Sequence, residues 1–336
     1  MIDLRSDTVT RPTEAMLATM ARAAVGDDVW GDDPSVRMLE MEVADRAGFA
    51  AAAFFPSATQ SNLTALLVHC GRGDEYIAGQ LSHIYHDEGG GGAVLGGIQP
   101  QPLSQDAQGR MGLEDIAAAI KDDDIHHART RLICLENTFH GKVLPQDYIN
   151  TVTGLAAERG LASHLDGARL FNASVATGKS LAELCAGFDS VTLCFSKGLG
   201  APVGALLLGG ERFISAARRW RKTLGGGMRQ SGLLAAACQY ALTHHVERLA
   251  DDHRHARLLG EWLACVPGIS VAEQATNMVY VNVPRPYCAD LEAWLAERDI
   301  LVAVRPRTRM VTHLDVGESD VRRVASEIGA WCAANT

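Results

Sequence analysis

The chain has 336 residues, beyond the roughly 250–300 at which a single hydrophobic core stops growing, so a large unit with a smaller companion is expected. Hydrophobic residues at 47% and charged residues at 21% are those of a water-soluble globular protein and exclude a disordered chain. With 31 Lys and Arg against 40 Asp and Glu, the net charge of −9 argues against nucleic acid as a partner, since that needs a basic surface.

The first residues, Met1–Asp7, are charged almost at once and lack the apolar segment of a secretory signal. Eight scattered cysteines with no C-x-x-C pair point the same way, to reduced core thiols in a cytoplasmic protein. The longest apolar stretches, Leu233–Cys238 and Ala205–Leu208, fall far short of the about 18–20 residues a bilayer span needs, so no membrane partner is expected. Residues 1–25 stand outside any strand and helix rhythm and are expected to form an extended arm with one short helix. Residues 26–245 form the large unit and 246–336 the small one.

Within the large unit, short apolar runs alternate with polar or glycine-rich breaks and helical segments. The runs are Ala51–Phe55, Glu75–Ile77, Arg131–Leu135, Leu161–Leu165, Ser190–Phe195 and Val203–Leu208. Without polar alternation they read as strands buried on both faces, the mark of an α/β domain whose mostly parallel sheet is covered by helices. A long helix is expected over Met228–Leu249 and another over Asp251–Cys265. The small unit then offers strands at Met278–Val283, Ile300–Val304 and Arg309–His313, with helices near Ala289–Glu297 and Asp320–Ala333.

Several familiar patterns fail. No frame of Gly89–Gly97 satisfies G-x-G-x-x-G, and Gly178-Lys179-Ser180 lacks the first glycine of a P-loop, Ala173 standing in its place. Neither H-E-x-x-H nor G-x-S-x-G occurs, and Asp27-Asp28 and Asp122–Asp124 lack the spacing of a calcium loop, so no metal site is expected. What remains lies where strands end. Ser57–Gln60 follows a strand and opens a helix as a capping box, and the same N-terminus, with Ser57, Ala58 and Thr59, could cradle a phosphate. Asp166 closes one buried strand and Lys197, after Ser196, closes the next, at the sheet edge where α/β proteins bind ligands. An amine, a carboxylate and a phosphate cradle are what pyridoxal phosphate requires: a Schiff-base lysine, a partner for the ring nitrogen and an anchor.

These residues lie in segments that resemble L-threonine aldolases of the low-specificity bacterial type. The segments are Asp3–Pro12, Gly26–Pro34, His164–Ala173, Ser196–Gly204, Gly225–Gly232 and Val311–Asp315, spread over nearly the whole chain. The resemblance implies a fold-type-I pyridoxal 5′-phosphate enzyme: a mostly parallel, mixed seven-stranded sheet in the large cofactor domain and a small α/β C-terminal domain. It implies a homotetramer built as a dimer of dimers, with active sites at the dimer interface. It also implies retro-aldol cleavage of L-threonine and L-allo-threonine to glycine and acetaldehyde.

Residue by residue, it makes Lys197 the Schiff-base lysine, Asp166 the partner of the pyridine nitrogen and His83 the group stacked on the ring. It gives the substrate carboxylate to Ser6, Arg169 and Arg309, puts His126 near the substrate hydroxyl with His83 or His126 as the base that takes its proton, directly or through a water, and brings Lys222 and Arg229 toward the cofactor region, from this or a neighbouring subunit. Other readings stand beside these. His126-His127 can be a surface pair, and Lys222 one charge on a basic helix face. Arg309 is expected inside an apolar strand, where an unpaired guanidinium is costly and a bound carboxylate is favoured. The sequence departs from the family at Ala58, where the phosphate loop usually has glycine, at Phe139-His140, usually His-Asn, and at Trp30, usually tyrosine. Related chemistry on the same cofactor, such as β-elimination, transamination or hydroxymethyl transfer, and noncatalytic cofactor binding are the alternatives.

Overall fold

In the computed structural model, which describes residues 1–335, the apolar runs become the middle of one sheet. Its strands are β2 (Ala51–Phe55), β3 (Asp74–Gly79), β4 (Gln99–Leu103), β5 (Arg129–Glu136), β6 (Ala162–Gly167), β7 (Ser190–Cys194) and β8 (Ala205–Gly209), after a short β1 (Ile2–Asp3) in the arm. The order is β2-β8-β7-β6-β5-β3-β4, and every neighbouring pair is parallel except those of β8, which runs against both β2 and β7. Alternate residues feed two layers. Ile77, Ile133, Leu165 and Leu193 face a core shared with α2 (Pro34–Ala47) and the helix Gly232–His244, with α1 (Glu14–Ala21) contributing Met16. Tyr76, Ala78, Leu132 and Cys134 face α3 (Ala58–His69), and Ala53, Phe55 and Leu207 pack with Ala65 of α3 and with the helix Glu211–Thr223. Strands buried on both faces need no polar alternation, which is why they stand out as plain apolar runs.

The strand β4 has no such run: it reads Gln-Pro-Gln-Pro-Leu and lies at the sheet edge, where prolines that cannot donate to a ladder are tolerated. The expected helix over Met228–Leu249 is shorter, Gly232–His244, because residues 229–231 form a turn instead of a helical first turn. A second core gathers Ala256, Leu259, Val279, Leu295, Ile300, Val324 and Trp331 around a three-stranded antiparallel sheet of β9 (Ser270–Ala275), β10 (Met278–Asn282) and β12 (Arg307–Val311). The arm is not merely extended. Its Ile2 and Leu4 belong to this second core, and β1 pairs in parallel with β11 (Ile300–Leu301). No helix among the described residues is long and apolar enough to cross a membrane.

Candidate active site

At the carboxyl ends of β5, β6 and β7 the sheet delivers three functional groups to one place. Asp166, 2% exposed, ends β6 and takes two hydrogen bonds, from the Asn62 side-chain amide (2.9 Å) and the Ala168 backbone N–H (3.0 Å). Those bonds answer the desolvation cost of burying a carboxylate. Lys197, half-buried, follows β7, and its backbone carbonyl accepts a bond from Thr10 of the arm (2.9 Å), while its charge reaches both Asp7 and His83. Glu136, at the end of β5, accepts from the His83 backbone N–H (2.7 Å), and burial together with the neighbouring Asp166 charge pushes its carboxyl up to about 8.

The helix start expected to cradle a phosphate has a Ser57 cap but not the full capping box. Ser57 caps α3 by accepting from the Gln60 N–H (3.2 Å), but the Gln60 side chain turns away to donate to the Leu224 carbonyl (3.1 Å), so only half of the capping box is made. Ala58 opens α3 without entering the left-handed backbone region, so the cradle does not need the glycine usual there. The positive end of this twelve-residue helix and its unpaired N–H groups are suited to an anion. Just after β5, Asn137 Nδ2 and Thr138 Oγ1 are buried without partners, as expected around a polar ligand. Lysine, carboxylate and helix N-terminus thus fit the pyridoxal phosphate that the sequence suggests.

His83 stands over this site on a short helix, His83–His86, and donates Nδ1–H to Glu88 (3.0 Å). The Glu88 bond raises the imidazole above its ordinary value, burial works against this, and the Asp166 charge adds to the rise. On the arm side, Arg169 binds Asp7 through Nε (2.8 Å) and Nη2 (2.6 Å), which leaves Nη1 for another acceptor. Burial alone would raise Asp7, but Arg169, Lys197 and Asn277 outweigh it and hold the carboxylate well below its usual range. Ser6, beside it, accepts from the Thr8 N–H (3.2 Å) and pairs with the Thr8 hydroxyl (2.9 Å).

Arg309 departs from expectation. It is exposed on β12 because that strand alternates, and its guanidinium meets the Arg5 carbonyl through Nη2 (3.5 Å) and the Tyr280 hydroxyl, so burial is not what would call an anion to it. It borders Tyr280, its partner across the ladder, and the Phe139-His140 departure packs onto the same group: Phe139 stacks on His140 (centroids 4.3 Å apart) and His140 faces Tyr280 (6.2 Å). Burial, then the charges of Arg307, Arg309 and Lys142, press the His140 imidazole down to about 4, so it adds no charge beside these cations.

Three sequence candidates have partners other than Lys197 and Asp166 within one chain. His126 lies in an exposed loop before β5, paired with Asp124 (2.6 Å), at the amino end of the sheet and so opposite the strand ends that carry Asp166 and Lys197. Lys222 is exposed at the end of its helix, beside Val29 and Trp30, and Arg229 pairs with Asp27 (2.9 Å). Trp30 itself is 79% exposed. Conversely, sequence reasoning missed Asn62, Glu88 and Glu136. The available signals were an asparagine inside an otherwise apolar helix and acidic residues at a strand end and before a glycine run.

A chain with this sheet and these strand-end residues is of the fold-type-I class, and it belongs to the beta-eliminating lyase family, whose model matches residues 3–285. It is 52% identical to the low specificity L-threonine aldolase of Escherichia coli (strain K12), over 99% of this chain and 100% of that one. It is 47% identical to a probable low-specificity L-threonine aldolase 2 of Arabidopsis thaliana, over 97% and 95% of the two chains. Among solved structures, a threonine aldolase of Leishmania major superposes with a TM-score of 0.84 at 22% identity, over 99% of this chain and 100% of that chain, a likeness of fold.

Proposed function

We propose that this chain is a pyridoxal 5′-phosphate-dependent aldehyde-lyase. It cleaves L-threonine, L-allo-threonine and other β-hydroxy-α-amino acids reversibly to glycine and an aldehyde, acetaldehyde in the case of threonine. The observation that carries this reading is the convergence of Lys197 and Asp166, on adjacent strands, with the N-terminus of α3, in a chain 52% identical end to end to a low-specificity L-threonine aldolase. Bound here, the cofactor supplies an electron sink for the pair released when the Cα–Cβ bond breaks. Lys197 would hold its carbonyl carbon, Asp166 its ring nitrogen, His83 the ring face, and Ser57, Ala58, Thr59, Ser196 and Arg229 the phosphate region. Arg169 through Nη1, Ser6 and Arg309 bind the substrate carboxylate and so orient the bond to be broken.

The proton on the β-hydroxyl goes to His83. With Nδ1 donating to Glu88, the neutral ring carries its lone pair on Nε2, as a base requires. His126 would reach an active site across a subunit interface, and Lys222 and Arg229 from this or a neighbouring subunit, which fits a cytoplasmic homotetramer built from two dimers. The exposed Val29, Trp30, Met38 and Met41 support a partner face there. Light scattering should give a particle of about four chains, and a monomer would remove the role given to His126. The large unit, 26–245, carries the cofactor, and the small one, 246–336, brings Arg309 to it beside the arm, 1–25.

The test is release of acetaldehyde from L-threonine by the purified holoenzyme with no keto acid or folate added. Lys197→Ala should abolish both this release and the visible absorption of the bound cofactor. The family's name gives the second reading: formation of ammonia and a keto acid in place of acetaldehyde would make the chain an eliminating enzyme.

A further inference from the structure

A row of polar side chains runs through the buried layer between α3 and the strands β6 and β7, ending at the carboxylate beneath the site. His69 Nε2 meets Ser190 Oγ (2.7 Å), Ser190 Oγ meets His164 Nδ1 (2.8 Å), and His164 Nε2 meets Asn62 Oδ1 (3.2 Å). The Asn62 amide then donates to Asp166 Oδ2 and to Glu88 Oε1, both at 2.9 Å. Asn62, His164 and Ser190 are fully buried.

Chemistry fixes the sense of every bond. Turned the other way, Asn62 would aim its oxygen at two carboxylate oxygens, so its amide must face them and its Oδ1 must face His164. That oxygen can only accept, which places a proton on His164 Nε2. Burial and the adjacent His69 press His164 down to about 3, so the ring is neutral and its Nδ1 accepts from the Ser190 hydroxyl. The Ser190 oxygen in turn accepts from His69. All the donors therefore point one way, toward Asp166.

We propose that Asn62, held in this orientation by His164 and Ser190, is a positioning residue that keeps Asp166 a pure acceptor toward the ring nitrogen of the cofactor. The inference rests on reading the site as a pyridoxal phosphate site. Asp166 meets the Asn62 amide on Oδ2 and the Ala168 N–H on Oδ1 (3.0 Å), so a carboxyl proton on either oxygen would compete with a donor already in place. Its remaining lone pairs suit a protonated ring nitrogen. The second Asn62 hydrogen goes to the Glu88 oxygen that also receives His83 Nδ1–H (3.0 Å), so one amide sets both the group facing the nitrogen and the partner of the ring-stacking histidine.

The test is binding, not turnover. Enzyme stripped of cofactor is titrated with pyridoxal 5′-phosphate and with its 1-deaza analogue, in which CH replaces the ring nitrogen. Asn62→Leu, similar in volume and without the amide, should weaken pyridoxal phosphate about tenfold or more beyond any weakening of the deaza analogue, since a hydrogen bond to a charged group is at stake for the first ligand alone, whereas loosening of Glu88 and His83 acts on both. Should Asn62→Leu fail to fold by circular dichroism, Asn62→Ala removes the same amide without adding a charge and carries the same comparison. Equal weakening of the two ligands would mean that Asn62 only packs the helix, and no weakening of either would mean that it does not act on Asp166; both overturn the inference and leave the aldolase reading intact. Wild type that binds no pyridoxal phosphate would overturn that reading and this inference with it.

Discussion

His83 and Glu88 form a pair whose two members differ in exposure, the imidazole 42% open and the carboxylate 4%. The bond between them stabilises the protonated ring, so His83 keeps its proton to a higher pH than an isolated histidine, while burial opposes the shift and Asp166 adds to it. If His83 takes the hydroxyl proton, it must first be neutral, and kcat/KM falls as the pH drops through its pKa. Glu88→Gln removes the negative charge and keeps the shape. The His83 pKa then moves down toward its ordinary value, and the acidic limb of kcat/KM should move to lower pH, by about one unit for each 1.4 kcal/mol of lost pairing. A pH profile of acetaldehyde release checks this. An acidic limb that stays in place would transfer the base role from His83 to another group.

At the scale of elements, the site was legible wherever one strand or one helix start carries its own signature. Asp166 and Lys197 end runs buried on both faces, and such runs announce their carboxyl ends without help from the rest of the chain. Ser57 could be placed because a cap is a local device. Asn62, by contrast, acquires its meaning from Asp166, 104 residues away, and Glu88 from His83 and Asn62 together, contacts that no local spacing encodes. The strands β4 and β9 escaped because an edge strand with prolines and a half-exposed alternating strand lack the apolar run. The glycine run after Glu88 resisted a dinucleotide reading for a physical reason now visible. Gly89 and Gly90 turn the chain at φ of 62° and 67°, and a Cβ on Gly92 would lie 2.9 Å from Leu66, so the run lets residues 92–96 lie against α3. His126 was placed by resemblance alone, and within one chain the opposite end of the sheet holds it.

On the scale of the whole molecule, the arm is what ties the two cores to one active site. Leu4 is fully buried in the C-terminal core, its N–H donates to the Leu301 carbonyl (2.9 Å), and its own carbonyl accepts from Val311 (2.9 Å), between the short parallel pair and β12. Three residues on, Asp7 grips Arg169 of the large unit and Thr10 bonds the carbonyl of Lys197, while the Arg5 carbonyl meets Arg309. The groups expected to hold the substrate carboxylate are therefore set by the seating of one leucine, whereas Asp166 and α3 belong to the other core. Leu4→Ala removes a buried side chain at a cost of about 2–5 kcal/mol, which should lower the urea midpoint. It should also raise KM for threonine by loosening Ser6, Arg169 and Arg309, with the dissociation constant of pyridoxal phosphate unchanged. An unfolding curve, a KM and a cofactor titration on the same preparation separate these effects: a lowered midpoint with an unaltered KM would show that the small unit can loosen without disturbing the arm, and that Arg169 is positioned by Asp7 alone.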